Sequence, residues 1–457
     1  MTIDIDPTTK QTDRTAAKAP VTQRRRGGMF TALVERNYRI YLAGSWVSNV
    51  GTWMQRVAQD WLVLELSGGS ALAVGITTGL QFLPMLLLSP YGGLIADRFN
   101  KRQILKITQS WLALCAAALG VLAVTGVATT QQVYLIAFAF GLGTAFDNPA
   151  RQSFVSEIAG PDHLPNAIGL NSATFHSARI VGPALAGLVI AQVGSGWAIL
   201  SNSLSYAAFI IALLIIDGRM LHTVPPTPRA KRQLREGLAY VGRNPDILLV
   251  LCVMFFVGTF GLNFQMTTAL MAQQEFHRSA EAYGILGTFL AVGSLAGALI
   301  AARRRARPSS RFVVSMAVVF GLVEIATGLA PGYAVYAASL PLMGLVTLLT
   351  MTAGNASIQL GVDPRLRGRV MALYIMVLMG GTPIGAPILG WLGEVMGPRW
   401  TLIGGGAVTV IGVVASVLVM QIYLRRYARG VAHQEARSQR RLGPHRDTAA
   451  SSQPSVP

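Results

Sequence analysis

The sequence predicts an all-α polytopic membrane protein: twelve transmembrane helices arranged as two parallel six-helix repeats. Three observations predict it. Of the 457 residues, 52% are hydrophobic and only 13% charged, too little charge to cover a soluble domain of this length. Apolar stretches long enough to span a hydrocarbon core about 30 Å thick, roughly 20 residues each, recur almost without interruption from Tyr41 to Leu424. The second half of the chain also repeats the first.

The spans are read as 39–65, 71–95, 103–126, 132–157, 167–193, 197–216, 247–271, 281–302, 311–330, 333–360, 370–396 and 400–424. They divide the chain into a tail (1–38), a six-helix bundle (39–216), a linker (217–246), a second bundle (247–424) and a disordered basic tail (425–457). The net charge of +18 falls in alternate loops. Arg24 to Arg26, Arg36 and Arg39 precede the first span, and Arg98, Lys101, Arg102 and Lys106 follow the second. Arg229 to Arg243, Arg303 to Arg311, Arg365 to Arg369 and Arg425 to Arg429 continue the series, whereas the opposite face offers only Arg278 and Arg399. This is the positive-inside pattern of a multi-pass protein of a bacterial inner membrane with both termini in the cytoplasm, and it argues against a nucleic-acid partner. The first 28 residues have no apolar core, so no cleavable signal peptide is expected. Cys115 and Cys252 sit in apolar spans without a His cluster, which points to packing rather than a metal site or a disulfide.

The repeat is found by sliding the halves past each other. At an offset of 203, Gly141, Pro161, Leu170, Gly182, Gly187 and Trp197 meet Gly344, Pro364, Leu373, Gly385, Gly390 and Trp400. At an offset of 209, Ser70, Ala71, Ala73, Gly75 and Ile76 meet Ser279, Ala280, Ala282, Gly284 and Ile285. Six spans per copy keep both copies in one orientation, related by an axis along the membrane normal. Between them, Arg232, Arg235 and Arg243 flank Leu234, Leu238 and Val241 at helical spacing, as in a segment lying on the membrane surface. Two bundles on a loose tether can rock about a site between them.

The loop after span two reads Gly93, three residues, Asp97-Arg98, Phe99-Asn100, Lys101-Arg102. It resembles the signature loop of the major facilitator superfamily, with Asn100 where that family usually has Gly. Asn tolerates the left-handed backbone a tight turn needs. The resemblance implies a cytoplasmic gate: Asp97 facing the amino end of helix eleven, with Arg98, Lys101 and Arg102 latching the halves. In span five, Ala178-Arg179-Ile-Val-Gly182-Pro183, followed by Gly187, is similar to the motif of the antiporter and efflux branches; Gly182, Pro183 and Gly187 would let helices pack closely. Ala137 stands where the family's fourth span carries an arginine, which puts proton coupling through that position in doubt. The runs Gly51 to Arg56, Phe146 to Gln152 and Asn166 to Asn171 resemble the drug and siderophore exporter branch that includes enterobactin exporters, over about residues 30 to 425.

Charged residues inside spans each cost about 2.5–3.5 kcal/mol at mid-membrane, so they should face a cavity or a partner. Arg56 and Asp60 lie four apart in span one, Arg179 lies in span five and Glu324 in span nine; all are candidates for substrate or proton coupling. Asp147 and Arg151 are four apart on a helix face and read equally well as an ion pair. Trp46, Trp53 and Trp61 lie near these charges, and Trp53 is the aromatic candidate for a cavity wall. No phosphate-binding Gly-Lys-Ser/Thr loop, His-Glu-x-x-His, Cys-x-x-Cys or nucleophile elbow is present, so neither ATP hydrolysis nor an enzyme is expected, nor any cofactor. The leading expectation is a monomeric, proton-driven exporter of lipophilic drugs or siderophore-like small molecules, with Asp60 as proton carrier and Arg56 and Arg179 tuning it or holding an anionic substrate. An importer of the same fold and a non-transporting membrane sensor are the alternatives.

Overall fold

The computed structural model describes residues 31–222, 233–304, 307–363 and 366–441. Most of the tail 1–38, Arg229, Lys231, Arg232, Arg305, Arg365 and the segment beyond Arg441 lie outside the described residues. Helices account for nearly all of the rest. Among the described residues ten stretches are long and apolar enough to cross a membrane. One of them, α4 (Thr130–Val193), is 64 residues long and crosses twice, because it folds back at Gly160 (φ 67°, ψ 169°). Only glycine adopts that backbone without strain, and a side chain there would also meet the ring of His222. Spans four and five are thus joined by a kink rather than the loop expected from 158 to 166. A twelfth pass is α1 (Arg36–Leu66), whose 31 residues include the polar run Gln55 to Asp60.

The remaining helices are α2 (Ala71–Arg98), α3 (Lys101–Val124), α5 (Ser195–Ile215), α6 (Gln233–Arg243), α7 (Pro245–Phe256), α8 (Phe264–Leu270), α9 (Ala280–Ala302), α10 (Ser310–Gly328), α11 (Tyr333–Gly361), α12 (Arg367–Gly380), α13 (Thr382–Met396) and α14 (Arg399–Arg441). Two spans read as continuous are broken. The seventh passes through π-helical turns at Val257–Gly261 and Met271–Glu275 on either side of α8, and the eleventh breaks between α12 and α13 at Gly381. Irregular backbone at membrane depth persists where other helices cover it, and α10, α12, α13 and α14 all pack on the first π turn.

Helices α1–α5 pack on one another, as do α7–α14, and the two groups meet along α2 with α13 and the second arm of α4 with α9. The repeat explains this pairing. A side-chain carbon on Gly75 would come within 3.2 Å of the Gly390 Cα, and one on its counterpart Gly284 within 3.1 Å of the Gly187 Cα. Gly141 backs onto the carbonyl of Gln81, and its counterpart Gly344 onto that of Leu290, again 209 positions apart. Related small residues therefore make related backbone contacts, within each half and between them.

Two regions differ from expectation. In the linker, α6 is docked on the second bundle through Arg369, which pairs with Glu236, and through buried Val241. The tail expected to be disordered from 425 continues as α14 to Arg441, on a run of Arg, Ala, Gln and Glu that favours helix.

Candidate functional site

A cavity of about 610 Å³ lies between the halves at mid-depth. Its two walls differ in chemistry. From the first half come Arg56, Asp147, Arg151, His176 and Arg179, with Gln, Asn and Thr side chains among them. From the second half come Leu262, Phe264, Met266, Leu290, Met351, Leu378 and Met379, interrupted by Asn263, Gln265, Tyr283 and three threonines. No charged side chain of the second half lines it among the described residues.

Asp147 and Arg151 form the predicted ion pair, Arg151 Nε to Asp147 Oδ2 at 3.1 Å. Thr108 and Gln109 of α3 donate to Asp147 Oδ1 at 2.8 and 2.7 Å, Arg151 Nη1 donates to Ser45 Oγ at 3.1 Å, and the guanidinium rests 4.4 Å from the Phe209 ring centre. This pair is satisfied on every side and ties α1, α3, α4 and α5 together. Arg56 and Arg179 are different. Their guanidinium carbons lie 4.8 and 5.3 Å from the centre of the same Trp53 indole. Neither donates a hydrogen bond or joins an ion pair among the described residues, and Arg56 Nε is buried without a partner. The ring's negative face attracts each cation, and both positive charges face the cavity without an ion pair among the described residues. Gly182 makes this possible, since its bare Cα lets Trp53 and the Val50 carbonyl of α1 close in on α4.

Asp60, one turn beyond Arg56, is not in the cavity wall. It is 7% exposed. Its side chain accepts one hydrogen bond among the described residues, from the hydroxyl of Tyr283 on α9, at 3.3 Å. The same hydroxyl lies 3.1 Å from the Gln265 carbonyl, and the Tyr283 ring stacks on Trp61 at 6.3 Å. Arg56, four residues before it on the same helix, forms no ion pair with it among the described residues. Helical spacing places two residues on one face and says nothing of a neighbour from the other half. Tyr283 was missed for that reason; the one signal was its place between Ala282 and Gly284 of the repeat. Trp46 lies outside the cavity, half-exposed, donating to Ser177 at 3.0 Å. Glu324 is also remote from the cavity, enclosed between α10, α14 and the first π turn.

The halves are fastened at the end remote from the basic loops. Glu394 Oε2 accepts from the Ala71 and Leu72 amides at 2.8 and 3.3 Å and from Ser70 Oγ at 3.1 Å, a carboxylate on the amino end of α2. Gln274 donates to the Gly69 carbonyl beside it. At the basic end the expected latch is not made. Asp97 and Arg98 are exposed, and no side chain lies within 4 Å of the Gly93 position. Lys101 pairs with Glu157 at 2.7 Å, and Arg102 donates to the Leu213 and Leu214 carbonyls at 2.7 and 3.0 Å, all within the first half. Asn100 has φ −62°, not a left-handed value, and caps α3 by accepting from the Gln103 amide at 3.1 Å. In this conformation Lys101 and Arg102, which would bridge the halves at the basic end, bond to their own half instead. Pro183 and Gly187 lie at the seam with α9, while Gly182 serves α1.

A family model described as transmembrane secretion effector matches residues 27–437. The chain belongs to that family, within the major facilitator superfamily. It is a multi-pass membrane transporter of small molecules, and its family is one of transporters rather than enzymes. The chain is 23% identical to the staphyloferrin A transporter of Staphylococcus aureus over 79% of this chain and 90% of the relative. It is 27% identical to the multidrug efflux pump Tap of Mycolicibacterium fortuitum over 83% and 95%. With the enterobactin exporter of Escherichia coli it shares 23% identity over 78% and 84%. Among solved structures, a bacterial homologue of the lysosomal transporter Spinster, inward-facing and unoccupied, shares the fold with a TM-score of 0.67 at 16% identity, covering 86% of this chain and 98% of that one.

Proposed function

We propose that this transporter is a monomeric, proton-coupled exporter of amphipathic compounds, lipophilic drugs or siderophore-like metabolites, working by alternating access. Substrates of both kinds are named for its relatives, and the cavity suits such molecules, with unpaired guanidiniums on one wall and Leu, Met and Phe on the other. The asymmetric basic loops support a cytoplasmic position for their end. The conformation described, fastened at the far end, is then the state that loads substrate from inside.

The observation that carries the coupling is that Asp60 has its hydrogen-bond donor on the opposite half. A charged Asp60 holds the Tyr283 hydroxyl and with it α9, keeping the far end shut. Protonation neutralises the acceptor and lets that hydroxyl turn wholly to the Gln265 carbonyl of its own half, weakening the seam. The proton load on Asp60 therefore changes which arrangement of the halves is favoured, the differential a ligand needs to shift a population. Asp97, Arg98 and the α12 amino end would come together when the basic end closes.

The test is reconstitution with a trapped pH dye. Extruded compounds, tried as a panel of lipophilic dyes, antibiotics and a siderophore, should move protons in the opposite direction, and an outward-acid gradient should drive them uphill. Uphill movement of the compounds without proton counterflow would overturn the coupling.

A further inference from the structure

Among the described residues the second half contains one deeply buried carboxylate, Glu324, that the cavity does not use. It is 1% exposed, one turn before the far end of α10. A carboxylate in the apolar layer requires something to neutralise or bind it. No basic side chain does so. Among the described residues Glu324 has no ion pair, and Oε2 has no hydrogen-bond partner. At this end Arg399 of α14 is committed to Glu275 at 2.7 Å and to the Ala330 and Gly328 carbonyls at 2.7 and 3.3 Å.

The carboxylate lies between a backbone carbonyl and an aromatic ring. A carbon placed on Gly405 of α14 would lie 3.1 Å from Glu324 Oε1 and 2.8 Å from the Phe260 carbonyl, so the two oxygens converge on one point of that helix. On the other side a carbon on Gly261 would lie 3.4 Å from Oε2 and would run into the Phe320 ring, which closes that side. Phe260 belongs to the π turn that interrupts span seven, where carbonyls are turned from regular pairing. Thr327, three residues from Glu324, is telling. Thr77, Thr347 and Thr350, buried in their helices, return the hydroxyl to the preceding turn at 2.8, 2.6 and 2.8 Å. Thr327, like Thr259 of the π turn, is buried and does not, and its hydroxyl has no partner among the described residues. The Tyr336 hydroxyl of α11 is likewise buried without a hydrogen-bond partner among the described residues. The titratable or charged groups near Glu324 are then Tyr336 and, beyond it, the Arg399–Glu275 pair; α14 and the π turn present glycine, phenylalanine and backbone.

We propose that Glu324, with the Phe260 carbonyl and the Thr327 hydroxyl, forms a monovalent-cation site inside the second half, holding a proton or a sodium ion. A carboxylate beside carbonyls of an interrupted helix is suited to such ions, and a single carboxylate is too little charge for a divalent one. The site is tied to the substrate cavity: Asn263, in the cavity wall, donates to the Thr259 and Phe260 carbonyls at 2.9 and 3.4 Å. Its occupancy would be felt where substrate sits. The assignment stands apart from the role given to Asp60.

The full chain in lipid nanodiscs tests it without transport. Melting is followed in sodium chloride against choline chloride at equal ionic strength, and infrared difference spectra at neutral pH report protonated buried carboxyls. For a sodium site, wild type melts higher in sodium, E324Q loses that rise, and T327V needs several-fold more sodium to reach it. For a proton site, sodium has no effect, wild type shows a buried carboxyl band that E324Q lacks, and T327V shifts that band. If E324Q does not fold, the T327V comparison alone decides. Wild type insensitive to sodium and without a carboxyl band that either variant alters would overturn the proposal.

Discussion

The two halves of this transporter share a scaffold and differ in polarity. Repeat-related glycines place the same backbones in contact on both sides of the pseudo-twofold axis, Gly75 on Gly390 and Gly284 on Gly187. The charges do not repeat. The first half lines the cavity with a satisfied Asp147–Arg151 pair and two unpaired arginines, whereas the second lines it with apolar and neutral side chains and keeps Glu324 out of it. Symmetry here serves packing and closure, which both halves must do alike. Chemistry is freed from the repeat because substrate and ion need only one copy of each site.

The comparison predicts its own failures. Removing Arg151 should have the largest effect on stability, since it strands a buried carboxylate: R151A is expected to lose about 3–5 kcal/mol in denaturant unfolding. R179A removes a guanidinium with no ionic partner and should leave unfolding nearly unchanged while selectively weakening export of acidic compounds. Equal losses for the two would mean that paired and unpaired arginines play the same role. Next come the seams. G75V and G284V should each overpack the far end by about 1–3 kcal/mol and shift the population toward opening there, read as labelling of a cysteine introduced beyond the seam. The repeat requires the two to behave alike. Smaller still, Y283F removes one long hydrogen bond to a carboxylate, about 1 kcal/mol, and should flatten the pH dependence of export while sparing binding. The smallest effect is expected for E394Q at the α2 amino end, roughly 0.3–1 kcal/mol, seen as a modest rise in labelling of the far end.

Much of the fold was legible because bilayer thickness and the positive-inside bias act on composition, which any window of the sequence displays. The repeat offsets relate Gly75 to Gly284 and Gly187 to Gly390, but that these meet crosswise at the seams is visible only in the fold. The break in span eleven had a signal in Gly380-Gly381-Thr382-Pro383, but the π turns of span seven had only scattered Gly258 and Gly261, and hydropathy does not register hydrogen-bond pitch. At the site, Arg56, Arg179 and Trp53 were found because charge inside a span is rare. Their grouping around one indole depends on which face of α1 meets α4, set by Gly182. The Asp60–Tyr283 contact crosses 223 residues between the halves. The gate at Gly93 to Arg102 was read as joining the halves; with that latch unmade, Lys101 and Arg102 bond within the first half.

The central claim is that Asp60 couples the seam to the proton gradient, and one comparison tests it most directly. D60N, a neutral mimic of the protonated side chain, is reconstituted beside wild type, and both are assayed for substrate exchange at equal pH and for uphill export driven by a pH gradient. The account predicts that D60N keeps exchange and loses gradient-driven accumulation. Uphill export at the wild-type level in D60N would contradict it.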